Sequence, residues 1–422
     1  MMKRLLAALA IIASLAAFSV QAEPITAQGV EDRLIIGFHE GVDAQEAQGI
    51  LSSYGLDVVD TLPEMWLVLA QGRPGKSRAA AAGLRIHPKV VDVQKDLWLR
   101  WIEGPVSFQE LPLPSFEAVR EQLPKFAPKA RADAGSDEAQ WGVRRVNAPA
   151  AWPSDQGAGV KVAVVDTGID PEHPDLKGRV AGGYNAVDKG QPWVDDHSHG
   201  SHVAGIIAAE LDGKGVAGVA PKASLYAVKV LNKDGSGSIF GIFGGINWCI
   251  QNKMQVINMS LGSPRSIPFF EGVLKKAVHA GITIVAAAGN DAGAVNYPGA
   301  YPESIAVSAL CPPGVTETKL CPSEKEGIAT FSSRGAQVAF IAPGVQVPST
   351  VPLSVDASGI KAYSGTSMAC PHVAGLAALA VSKGAQGAQA VRAALTAAAQ
   401  KVPGLSAEEQ GAGVVDAAKL AR

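Results

Sequence analysis

The stretch VKVAVVDTGID, residues 160–170, runs through Val162, Ala163, Val164 and Val165 without a polar interruption and stops at Asp166, Thr167 and Gly168. A strand that is apolar on both sides is buried on both faces, the mark of a parallel sheet covered by helices. The same kind of run returns in SLYAVKV (224–230), VINMSLG (256–262), TIVAAAGN (283–290) and SIAVSAL (304–310). Between these runs lie the helix-like segments GSHVAGIIAAEL (200–211), SIFGIFGGINWCIQNK (238–253) and FEGVLKKAVHAG (270–281). The alternation predicts an α/β fold, a mostly parallel sheet flanked by helices on both faces. In such sheets sites form beyond the carboxyl ends of the strands, so Asp166 stands where chemistry is expected.

Toward the amino terminus the pattern changes. Residues 31 to about 101 read as a small α/β module: strand RLIIGF, helix DAQEAQGILSSYG, strand MWLVLA, helix KSRAAAAGLRI and one strand VVDVQKDLWLRW, with no catalytic cluster. Residues 103–138 hold Pro105, Pro112, Pro114, Pro124 and Pro128 and no sustained period, which predicts an exposed linker. At the start, Lys3 and Arg4 precede an apolar run over 5–20 that ends near Ala22. This has the form of a secretory signal peptide, too short to span a bilayer, so no membrane anchor is expected in the mature form. The predicted divisions are therefore 1–22, 23–102, 103–138 and 139–422.

The 422-residue chain is 47% hydrophobic and 18% charged with 46 glycines, which suits tightly turned α/β domains better than disorder or a coiled coil. A net charge of -2 gives no electrostatic case for nucleic acid or an anionic membrane as partner. Of the four cysteines, Cys311 and Cys321 lie ten positions apart in a Pro/Gly/Thr/Glu-rich segment and are expected to pair. Cys249 and Cys370, in apolar contexts, are expected to be buried free thiols.

Three residues carry the chemistry. Asp166 ends a strand, and His199, in DDHSHGSHVAG, opens an apolar helix pattern. Ser367, in YSGTSMACPHVAG, sits among small residues at the mouth of another helix pattern. A serine hydroxyl needs a base; an imidazole held by a carboxylate is one, and a helix mouth aims N–H groups at developing negative charge. His197, His199 and His202 also invite a zinc reading, but H-S-H-G-S-H lacks the i, i+4 pair on one helix face and a partnering cysteine.

VAVVDTGID, HGSHVAG, VINMSLG, AAAGN and SGTSMACPHVAG, in this order within residues 141–422, resemble the subtilisin-like serine proteases, whose triad runs Asp, His, Ser. The resemblance implies that Asp166, His199 and Ser367 form the triad, and that Asn290 joins the Ser367 N–H in an oxyanion hole. It implies that Gly235, Ser236 and Gly237 on one edge, and Ser260, Leu261 and Gly262 on the other, pair with an extended peptide. Asn296 in VNYPG falls at the rim of the first specificity pocket, and no acidic residue is matched to that pocket, so an apolar or aromatic side chain is expected before the scissile bond. Asp175 in HPDL and Asp212 in AELDGKGVAG, with carbonyls near Glu210, Lys214 and Val216, correspond to a structural calcium site; catalysis itself needs no cofactor.

By the same resemblance, residues 23–102 correspond to an inhibitory propeptide that assists folding. It is removed in the linker, with the mature chain starting between about 130 and 140. The expected product is a monomeric endopeptidase, secreted or periplasmic, whose partners are protein or peptide substrates and its own propeptide. Ser201 replaces the family's usual threonine, and an insertion holds Cys311 and Cys321. Cys370 stands where relatives carry serine or threonine, so thiol reagents are expected to inhibit by crowding Ser367. Two other classes remain to be weighed. A non-catalytic binding protein of this fold would have lost part of the triad or the oxyanion donor, and a metal hydrolase built on the histidines would be chelator-sensitive.

Overall fold

The computed structural model describes residues 32–102, 139–315 and 319–420. The expected signal peptide and the proline-rich linker lie outside the described residues. Among the described residues no helix is long and apolar enough to cross a membrane.

The amino-terminal module contains β1 (Arg33–Phe38), α1 (Ala44–Ser53), β2 (Leu56–Leu62), β3 (Leu67–Gly72), α2 (Ser77–Leu84) and β4 (Val90–Lys95), with sheet order β2-β3-β1-β4. Alternation along β1 sends Leu34, Ile36 and Phe38 into a core with Leu51 of α1 and Leu84 of α2. Ile35 points the other way, and with Leu62, Met65, Leu67 and Leu69 it joins a core of the second domain. Each such large apolar side chain contributes about 1.5–3 kcal/mol when fully buried. The approach is close: a Cβ on Gly37 would stand 2.6 Å from the Phe269 ring. The expected single strand over residues 90–101 is broken at Asp96. Its second part, β5 (Trp98–Arg100), leaves the module's sheet and pairs antiparallel with β9 (Ser236–Ser238) of the second domain.

The second domain has the expected α/β architecture. Its strands are β6 (Lys161–Asp166), β7 (Val180–Asn185), β8 (Ser224–Lys229), β10 (Val256–Met259), β11 (Thr283–Ala287), β12 (Ser304–Cys311), β13 (Gly327–Ile328) and β14 (Val338–Pro343). They lie in the order β13-β12-β11-β10-β6-β8-β7 with β14 also on β12, and every pairing but that of β13 is parallel. On one face Val162, Val164, Val256 and Val285 meet α3 (His199–Ala208) and α6 (Thr366–Ser382). On the other Ala163, Val165, Ile257 and Ile284 meet α4 (Ile239–Gln251) and α5 (Phe270–His279). A strand apolar on both sides needs this double cover. Cys311 and Cys321 form the expected disulfide, and Cys249 and Cys370 are buried free thiols.

Candidate active site

β6 ends on Asp166, which is fully buried, and α3 begins on His199 beside it. His199 Nδ1 lies 2.9 and 3.0 Å from the two Asp166 carboxylate oxygens. Glycine allows the approach, because a Cβ on Gly200 would stand 2.1 Å from the Gly168 carbonyl oxygen. Burial disfavours the imidazolium, but the Asp166 charge, its hydrogen bond and the Asp195 charge outweigh that, and the His199 pKa is raised above the ordinary histidine value. The other two rings are committed elsewhere. His202 Nε2 faces the Lys361 carbonyl at 3.0 Å while the ring stacks on Tyr363, and His197 Nδ1 accepts from the His199 N–H at 3.4 Å. Each ring thus spends one nitrogen on the chain.

Asp195 was not singled out in the sequence, yet it organises the start of α3. Its carboxylate accepts from Thr167 Oγ1, the His197, Ser198 and Ser201 N–H groups and Ser201 Oγ, all at 2.7–2.9 Å. An acidic residue just ahead of an apolar helix pattern is the sequence signal for such a cap. Buried Lys229 secures the turn after Asp166, donating to the Thr167 and Leu231 carbonyls at 2.6 and 3.0 Å and to Asp196 at 2.6 Å.

Ser367 is the second residue of α6. A hydrogen bond at 2.9 Å between Ser198 Oγ and the Tyr363 hydroxyl ties the chain before His199 to the strand leading into Ser367. Ser367 Oγ donates to the Ser260 carbonyl at 3.2 Å rather than to His199; catalytic contacts are often loose without substrate. Asn290 Oδ1 accepts from Thr366 N and Oγ1 at 2.9 and 3.0 Å, which turns its Nδ2 the other way. A carbon on Gly365 would stand 3.6 Å from both Asn290 Nδ2 and Ser367 N, so these two nitrogens lie near the same point. Cys370 is fully buried and burial pushes its thiol pKa up, both of which work against the expected attack by thiol reagents.

The two predicted peptide-pairing edges are both engaged by the chain's own residues 98–102. Trp98, Leu99 and Arg100 stand opposite Ser238, Gly237 and Ser236; the Trp101 N–H donates to the Gly235 carbonyl at 3.0 Å, and the Gly262 N–H to the Trp101 carbonyl at 3.0 Å. Leu261 is buried in the same apolar cluster as Trp101 and Ile102, and Ser260 contacts Ser367 through both its Oγ and its carbonyl. Asn296 Nδ2 donates to Asp291 Oδ2 at 2.9 Å. Asp291 is thus the acidic partner of Asn296.

At the predicted calcium position, buried Asp175 reaches into the 210–216 loop. Its Oδ2 accepts from Val216 N and its carbonyl from Glu210 N, both at 2.9 Å, while Asp212 Oδ1 accepts from Lys214 N at 3.1 Å. Burial raises the Asp175 pKa, and the nearby Asp212 and Glu210 charges add to it. Carboxylates with carbonyls are the kind of donor set a hard cation takes, but among the described residues no group of three or more His, Cys, Asp or Glu is placed to hold a metal ion.

The family model described as Subtilase family matches residues 157–413. Subtilisin E of Bacillus subtilis (strain 168) is 46% identical over 250 residues, 58% of this chain and 61% of its own length. The chain thus spans less than two thirds of that relative. Minor extracellular protease Epr of the same organism is 37% identical over 293 residues, 69% of this chain and 41% of its own. Intracellular serine protease of Paenibacillus polymyxa is 44% identical over 248 residues, 56% and 71%. Among solved structures, fervidolysin from Fervidobacterium pennivorans, a keratinolytic enzyme related to subtilisin, superposes with a TM-score of 0.77 at 27% identity, covering 92% of this chain and 60% of its own.

Proposed function

Since the chain belongs to the subtilase family, we propose that it is an exported serine endopeptidase made as a self-processing zymogen. The observation that carries this reading is the buried His199 Nδ1 contact with both Asp166 oxygens, which leaves the opposite ring nitrogen to serve a nucleophile. In the proposed reaction His199 Nε2 takes the Ser367 proton as Oγ attacks the scissile carbonyl. Asp166 holds the Nδ1–H tautomer, and Asn290 Nδ2 with the Ser367 N–H receives the oxyanion. His199 returns the proton to the leaving amine; water then attacks the acyl-enzyme with His199 again as base. Backbone pairing to residues 235–237 and 262 makes specificity broad. An apolar side chain is preferred before the cleaved bond, and Asp291 offers a partner to a basic one; a strict Arg or Lys requirement in a peptide library would contradict this.

Residues 23–102 act as the inhibitor, with 98–102 lying in the cleft as a substrate would. Processing then falls in the linker after residue 102, leaving a mature chain that starts between about 130 and 140. Intact masses test this: the natural chain loses its first hundred or so residues, whereas Ser367→Ala retains everything after the signal peptide. Equal trimming of both would assign processing to another protease.

Docking of the module is expected to depend on pH through Asp96. This buried carboxylate accepts from the Phe240 N–H at the start of α4 at 3.0 Å, and burial raises its pKa from 3.8 to about 6. Docking therefore takes up a proton between these values: its full stabilisation is present below about 4, weakens about tenfold per pH unit and is lost by about 6. The dissociation constant of the isolated module for the Ser367→Ala domain should follow this curve, and Asp96→Asn should flatten it. A flat natural profile would contradict the assignment.

Asp175 and Asp212, with the carbonyls of Glu210, Lys214 and Val216, would hold a calcium ion that pins the loop after α3. Chelation should then lower the melting temperature of the natural protein and leave that of Asp175→Asn unchanged. An unmoved natural melting temperature removes the ion from the account.

A further inference from the structure

Helix α6 contains Pro371, four residues after Ser367. Proline has no N–H, so the Ser367 carbonyl lacks the donor that every regular helical turn supplies. Ser260 replaces it: its Oγ donates to the Ser367 carbonyl at 2.8 Å. The same Oγ accepts from Asn258 Nδ2 at 3.0 Å. In turn, Asn258 Oδ1 accepts from Cys370 Sγ at 3.2 Å, the thiol's other acceptor, the Met259 carbonyl, being 4.0 Å away. Ser260, Asn258 and Cys370 are fully buried.

Resting on the protease reading, we propose that Cys370, Asn258 and Ser260 form a positioning relay that fixes the Ser367 turn through its carbonyl oxygen. The relay has one polarity. A hydroxyl has a single hydrogen, so Ser260 can spend it on Ser367 only if the other contact, from Asn258, is one it accepts. The Asn258 amide faces that way because its oxygen is held by a thiol that keeps its hydrogen, burial having pushed its pKa up. Cys370 thus supplies a permanent neutral donor rather than a nucleophile. What the relay controls is the backbone bearing both the oxyanion-donating N–H and the attacking Oγ. Substrate pairing uses residues 235–237 and 262, so loss of the relay lowers turnover and leaves KM nearly unchanged.

A double-mutant cycle on the full chain tests this. With a chromogenic peptide, Ser260→Ala should lower kcat about 10- to 100-fold, the cost of a misplaced reacting group, and move KM less than about twofold. In a Pro371→Ala background the restored N–H takes over, and the same substitution should cost less than about threefold. Cys370→Ser should keep kcat and Cys370→Ala should lower it, with melting temperatures checking that each variant folds. Equal losses from Ser260→Ala in both backgrounds, or equal kcat for the two Cys370 variants, overturn the relay while leaving the protease reading intact. A natural chain that neither cleaves peptide nor reacts with a fluorophosphonate overturns that reading and the relay with it.

Discussion

Ser367→Ala lowers kcat on the order of a million-fold and leaves KM within a few-fold, the size of loss a subtilisin shows when its nucleophile is removed. The structural reason is the position of the residue. Ser367 lies at the first turn of α6, and its backbone nitrogen and Asn290 Nδ2 lie near the same point. Alanine keeps the N–H, the helix and the peptide-pairing edges, so substrate still binds and its oxyanion can still be received. Only the attacking oxygen is gone, and the residual rate is what binding and the oxyanion donors provide. Kinetics on a peptide amide check this. A drop of tenfold or less would mean that another group attacks.

Asp166→Asn lowers kcat on the order of ten-thousand-fold and also displaces the pH profile. The natural enzyme needs neutral His199, so activity rises with pH through a value above the ordinary histidine range, where the Asp166 and Asp195 charges outweigh burial. Removing the Asp166 charge leaves burial to act against the imidazolium, and the rising limb moves to lower pH even as its height collapses. An amide that donates toward Nδ1 also favours the wrong tautomer. Lost activity with an unmoved limb would show that Asp166 is structural and that the limb belongs to another group.

The strands of the large sheet were legible because burial on both faces leaves an uninterrupted apolar run, as in β6 and β12. β2 was not, since it is an edge strand exposing Val58 and Val59 among polar residues; β7, VAGGYN, hides behind two glycines. The sequence also reads as one strand over 90–101, whereas Asp96 is drawn to the start of α4 and the chain turns there into the cleft. A proline inside a helix pattern removes a donor, yet the helix runs Thr366–Ser382 through Pro371, with Ser260, more than a hundred residues away, donating to the Ser367 carbonyl. Motifs pointed to Asp166, His199, Ser367 and Asn290, but the contact of Ser260 Oγ with the Ser367 carbonyl joins residues more than a hundred positions apart, a distance that no local pattern encodes.

The central claim is that Ser367 is the nucleophile activated by His199 and Asp166. Treating the purified natural chain with a fluorophosphonate, then mapping the adduct by peptide mass, tests it most directly. One adduct per chain is expected, on Ser367, with loss of activity in step and the reaction slowed in Asp166→Asn. Full activity with no adduct, or inactivation with the label on another residue, would contradict it.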